Sequence, residues 1–220
     1  MAETTRGIGI VLFDGVEELD FVGPWEVLSF WTRMVPEDGW QAFTLSRTGA
    51  IVECAKGLKV TPDHSFDTAP AVDVLVFPGG QGTRPLVHDS QMLDWVRAQR
   101  DRVPLITSVC TGALVLAAAG LLQHRPATTH WWSLDALADL DPTIAVDRDA
   151  RYVDSGDIVT SSGVSAGTDM ALYLVQRLAG DERARWVRRG IQYDPRPPRG
   201  TDWPAGAEWR LGSVDPTRPR

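Results

Sequence analysis

Short unbroken apolar runs alternate along the chain with segments of helical period. Residues 7–13, "GIGIVLF", lie between Gly7 and Asp14-Gly15 and read as a buried strand. "VDVLVFPGG" at 72–80 and "VPLITSV" at 103–109 read the same way, and weaker strand candidates lie near 42–46 and 51–60. "VEELDFVGPWEVLSFW" predicts a helix with Val27, Leu28 and Trp31 on one face and Pro24 in its first turn. An amphipathic helix is expected at 90–100, and a helix apolar nearly all round, hence buried, in "TGALVLAAAGLL". Further helices are expected at 129–140, at 165–180 with Ser165 as N-cap, and at 181–193 with a basic face. Residues 150–163 read as a hairpin turning at Ser155-Gly156. Buried strands alternating with helices predict an α/β fold, a mainly parallel sheet covered on both faces. From Asp194 onward the chain is proline-rich and loses its periodicity. With no internal repeat or linker, one domain is expected over 1–198, followed by a tail at 199–220.

Composition narrows the picture modestly. A chain of 220 residues is long enough for a sizeable core. A net charge of −7 disfavours a nucleic-acid or anionic-membrane partner. No apolar stretch reaches the roughly 18 residues of a membrane helix. "MAETTRGIGIVLF" lacks the basic and apolar regions of a signal peptide, so the cytoplasm is the expected compartment. Two cysteines do not make a disulfide framework, and with four scattered histidines and no CxxC a structural zinc site is not expected. No phosphate loop or dinucleotide fingerprint is present.

Candidate chemistry centres on Cys110, in "SVCTGALVLAAAGLL" at 108–122. A strand ending at Val109 and a helix starting near Thr111 force a tight turn at this residue, the geometry of a nucleophile elbow. Gly112 permits a neighbouring backbone to approach. A helix N-terminus favours thiolate over thiol, and the Thr111 N–H would face charge developing on a substrate. A buried core thiol is the alternative. Cys54 has no such setting and reads as packing. Gly79 and Gly80 end a neighbouring strand, where ligands bind in open parallel sheets. Their amides are candidates for the other half of an oxyanion hole, with an ordinary turn as the alternative. Glu17, Glu18 and Asp20 follow the first strand; any of them could shuttle protons to a nearby thiolate or cap the next helix. His130 could bind or orient a substrate, act as a base or be structural, and Trp131-Trp132 beside it point to a packed or interfacial site. Arg183, Arg185, Arg188 and Arg189 read as a solvated helix face.

Taken together, "LDFVGPWEVL" (19–28), "VFPGGQG" (76–82), the Cys110 segment, "RPATTHWW" (125–132), "TSSGVSAGTDMAL" (160–172) and "YDPRPP" (193–198) resemble the ThiJ/PfpI superfamily, most closely its isonitrile hydratase branch. The resemblance implies a flavodoxin-like fold, usually a homodimer, acting on a small molecule without cofactor or metal. It matches Cys110 to the nucleophile, Asp20 to its acidic partner, and Gly80 and Thr111 to oxyanion-hole positions. Thr111 stands where the superfamily's peptidases carry histidine, which argues against peptidase activity. Regulators of the superfamily append a helix-turn-helix domain after this fold, and only the proline-rich tail follows it here. The implied reaction is hydration of an isonitrile to an N-substituted formamide through a Cys110 thioimidate. A glyoxalase-like or amidase-like cysteine hydrolase, or a non-catalytic redox or ligand sensor, are the alternatives.

Overall fold

The computed structural model describes residues 5–194; the expected tail and the end of the expected domain lie outside them. Its elements are, in chain order, β1 (Arg6–Leu12), α1 (Glu18–Met34), β2 (Trp40–Ser46), β3 (Val52–Glu53), β4 (Lys59–Val60), β5 (His64–Ser65), β6 (Val74–Phe77), α2 (Thr83–Leu86) and α3 (Ser90–Arg100). Then come β7 (Leu105–Val109), α4 (Gly112–Ala118), β8 (Pro126–Ala127), α5 (Leu134–Leu140), β9 (Ala145–Val146), β10 (Tyr152–Asp154), β11 (Ile158–Ser161), α6 (Ala166–Ala179) and α7 (Asp181–Gly190).

β6, β7 and β11 are buried along their whole length, and β1 along all but its first residue. Their Val, Ile and Leu side chains suit inner strands covered on both faces. The seven-stranded sheet has the order β10-β11-β7-β6-β1-β2-β5, and every neighbouring pair is parallel except β10 with β11. The helices pack in two groups, α1 with α6 and α7, and α4 with α2, α3 and α5. This is the expected α/β architecture with a flavodoxin-like sheet. Because β1, β6, β7 and β11 run the same way, the segments after their carboxyl ends meet at one edge. These are the β1–α1 turn, Pro78-Gly79-Gly80, Cys110 and 162–164.

Two local expectations are corrected. α1 starts at Glu18, so Pro24 lies inside the helix and not in its first turn. Pro24 lacks the N–H that would bond the Asp20 carbonyl, but its buried ring packs where α6 passes, near Gly167. Ser165 makes no cap bond; its hydroxyl accepts from Arg151 at 3.2 Å. The 51–60 region forms a separate two-stranded hairpin, β3–β4, outside the main sheet.

Candidate active site

Cys110 sits between β7 and α4 with φ +56°, a left-handed conformation uncommon for a side-chain-bearing residue. Tertiary bonds hold it there. Its amide donates to the Ser161 carbonyl at 3.1 Å, and its carbonyl accepts from the Thr129 hydroxyl at 2.7 Å. Gly112 is required next to it, since a Cβ there would stand 2.2 Å from the Phe77 carbonyl oxygen. Cys110 is buried, with 6% of its surface exposed.

Asp20 lies in the first turn of α1 and is fully buried. Its Oδ2 accepts from the Gly79 N–H at 3.0 Å, while Oδ1 has no hydrogen-bond partner among the described residues. Burial pushes this carboxyl up to about 7, the Glu17 charge adds to the rise, and the Cys110 thiol and Gly79 amide offset part of it. Burial and the Asp20 charge push the thiol up as well, against the Thr111 and Val164 amides that face it. The expectation that the helix start would leave a thiolate is therefore corrected: desolvation outweighs the amides. The two groups are coupled, and each holds its proton more tightly than in water. Cys110 and Asp20 are brought together; Glu17 stands at the margin, and Glu18 turns to the β3–β4 hairpin.

Both glycine amides are already engaged. Gly79 donates to Asp20, and Gly80 donates to the Thr111 hydroxyl at 2.9 Å. The Thr83 hydroxyl reaches the Gly80 carbonyl at 2.8 Å and Thr111 Oγ1 at 3.0 Å, completing a small network. A Cβ on Gly79 would lie 2.5 Å from the Thr111 amide nitrogen and 2.8 Å from Asp20 Oδ2, so the glycine lets the two halves of the site close up.

His130 is half-buried and held neutral by desolvation. Its Nδ1 accepts from the Trp132 N–H at 3.3 Å, which places the remaining proton on Nε2. Its ring lies against Gly163, where a Cβ would come within 2.1 Å of Cδ2. A cavity of about 430 Å³ opens here, lined by His130, Trp131, Arg148, Arg151, Gly163 and Val164. Trp131 and Trp132 are 56% and 62% exposed, so within this chain they form a rim and not a packed core.

Val164 was not legible as a site residue. Its φ is +51°, an outlier for a β-branched side chain, and its amide faces both Asp20 and Cys110. The nearest sequence signal is Gly163 beside it. Arg185, Arg188 and Arg189 are exposed, as expected of a solvated helix face, whereas Arg183 is partly buried and pairs with Asp38 at 2.8 Å. Among the described residues no group of three His, Cys, Asp or Glu could hold a metal, and no helix is long and apolar enough to cross a membrane.

Known proteins resemble this chain in sequence and fold. The isonitrile hydratase of Pseudomonas putida is 40% identical over 201 residues, covering 87% of this chain and 80% of that one. A crystal structure of a ThiJ/PfpI family protein from Pseudomonas syringae superposes with a TM-score of 0.79 at 32% identity, covering 90% of this chain and 79% of that one. The HTH-type transcriptional regulator GbdR of Pseudomonas aeruginosa is 32% identical over 189 residues, 86% of this chain but 51% of the regulator. The DJ-1/PfpI family model matches residues 6–177, and the chain belongs to that family.

Proposed function

We propose that the protein hydrates isonitriles to N-substituted formamides, with Cys110 as nucleophile and Asp20 as proton carrier. The observation that carries this reading is a fully buried carboxyl, pushed up to about 7, set against a thiol at an elbow. The similarity to an isonitrile hydratase supports it.

In the reactive form of this proposal the pair holds one proton, on Asp20, and the sulfur is a thiolate facing the Thr111 and Val164 amides. The sulfur attacks the terminal isonitrile carbon, and that carbon takes the Asp20 proton, giving a thioimidate and a carboxylate. The carboxylate removes a proton from water as its oxygen adds to the same carbon, and Asp20 passes that proton to nitrogen. Asp20 then takes the hydroxyl proton while the C–S bond breaks and its electron pair returns to sulfur. The formamide leaves, and the starting protonation state is restored. No step calls for a metal or an organic cofactor. Gly79 and the Thr111–Gly80 network hold the two reacting groups in register, and the 430 Å³ cavity beside Val164 and His130 accommodates the substituent on nitrogen.

The buried, proton-holding thiol weighs against a redox sensor, whose cysteine is exposed and low in pKa. Exposed Leu19, Val22, Trp131 and Trp132 support a homodimer. The test is incubation of the purified protein with phenyl isonitrile and measurement of N-phenylformamide. Turnover abolished in Cys110→Ala is expected; absence of turnover across aryl and alkyl isonitriles would overturn the reading.

A further inference from the structure

The β3–β4 hairpin is fastened to the start of α1 beside the site. The Ala55 amide donates to the Val16 carbonyl at 2.8 Å, and the Lys56 amide donates to Glu18 Oε1 at 2.7 Å. With its backbone clamped in this way, the Lys56 ammonium pairs with Glu17 and stands 3.6 Å from Glu18 Oε2. Glu17 is itself pinned to the site. Its amide donates at 2.9 Å to the carbonyl of Gly79, the residue whose amide binds Asp20, and its carbonyl accepts from the Asp20 amide at 3.2 Å.

We propose that Lys56 is a positioning residue which, by neutralising and tethering Glu17, sets the electrostatic environment of the proton shared by Asp20 and Cys110. The inference rests on the reading of Asp20 and Cys110 as the reacting pair. The groups that act on Asp20 are few. Cys110 faces it from the elbow and Glu17 raises its proton affinity from one helical turn away. His130, near Glu17, is neutral. α6 brings Val164, while its Asp169 is bound by Arg151 and Tyr193. Glu17 is thus the charged neighbour whose compensation matters most, and Lys56 is its ion-pair partner. Without Lys56 the Glu17 carboxylate is uncompensated and free to turn toward Asp20. The pair then holds its extra proton to higher pH.

The experiment is the pH dependence of Cys110 alkylation by iodoacetamide, followed on the Cys110 peptide by mass spectrometry. This readout does not depend on isonitrile turnover, so it survives if the hydratase reading fails. Lys56→Gln should move the acid-side midpoint up by about half a pH unit, and Glu17→Gln should move it down by a similar amount. Lys56→Arg should keep the wild-type midpoint, and the Lys56→Gln shift should shrink in the Glu17→Gln background. If Lys56→Gln does not fold, Glu17→Gln tests the coupling alone. A Lys56→Gln variant that reacts more slowly at every pH with its midpoint unmoved would make Lys56 merely structural. So would midpoints that move in the same direction in both single variants, or an unmoved midpoint in Glu17→Gln.

Discussion

The two cysteines make an instructive pair. Cys54 and Cys110 are both buried, at 4% and 6% exposure, and in both burial is the main force pushing the thiol up. Both have carboxylates nearby. They differ in what those carboxylates can do. Those around Cys54 are Glu18, Asp14 and Glu17; Glu18 is held below the usual range by hydrogen bonds and the Lys56 charge that together outweigh its desolvation. Glu18 stays ionised and repels a thiolate. The carboxyl beside Cys110 is pushed up to about 7 and can hold the proton that the sulfur gives up. Backbone geometry differs as well. Cys54 donates its amide to the Leu58 carbonyl inside the hairpin, whereas Cys110 is strained into a left-handed turn and faces two amides. Burial alone does not make a nucleophile; a neighbouring group able to take the thiol's proton is needed as well.

The sharpest way to break this comparison is to remove each thiol in turn. Cys110→Ala should lower isonitrile turnover by at least about 10³-fold, while Cys54→Ala should stay within about twofold of wild-type kcat/KM. Equal losses would erase the distinction.

Next in size is Asp20→Asn, which keeps the shape and removes the proton carrier. Turnover should fall by about 10²-fold or more. The same variant has a stability signature. Asp20 is raised from its ordinary value of 3.8 to about 7 in the folded state, so the folded protein binds the extra proton between those values. Wild-type stability therefore falls as pH rises through that window and levels off above it. The stability of Asp20→Asn relative to wild type should be roughly 2 kcal/mol higher at pH 8 than at pH 5. Urea unfolding at the two pH values reads this directly, and a pH-independent difference would contradict the raised carboxyl.

Gly79→Ala probes the contact between the two halves of the pair. Its Cβ would enter the 2.5–2.8 Å space to the Thr111 nitrogen and Asp20 Oδ2, so something must shift. A loss of about 10- to 100-fold in kcat is expected, with circular dichroism unchanged. The smallest effect belongs to Thr111→Val, which leaves the Gly80 amide without its hydroxyl acceptor. A loss of about three- to tenfold in kcat/KM, with a stability cost of about 1–2 kcal/mol, is expected from calorimetry and steady-state kinetics.

Much of this site was legible because its parts follow strand ends. The apolar runs at 7–13, 72–80 and 103–109 contain the buried cores of β1, β6 and β7, and the residues after them, with Cys110 and Gly79-Gly80, meet as a parallel sheet requires. Asp20 was singled out from Glu17 and Glu18 by family resemblance and not by pattern. Three acids within four positions look alike until a helix starting at Glu18 turns one of them inward. Pro24 obscured that start, because a proline inside a helix is tolerated only through packing that local sequence does not reveal. Val164 was invisible because its signal is a torsion imposed by neighbouring elements on an ordinary apolar residue. Lys56 was hidden because its partners lie across a tertiary contact between the hairpin and α1.

The central claim is that Cys110 forms a covalent intermediate which Asp20 resolves. Intact-mass spectrometry on samples quenched during turnover of phenyl isonitrile at neutral pH tests it directly. The account predicts a mass gain of one isonitrile, located on the Cys110 peptide, transient in wild type, slower to form but longer-lived in Asp20→Asn, and missing in Cys110→Ala. Formamide produced by Cys110→Ala at the wild-type rate, or an adduct that decays equally fast in Asp20→Asn, would contradict it.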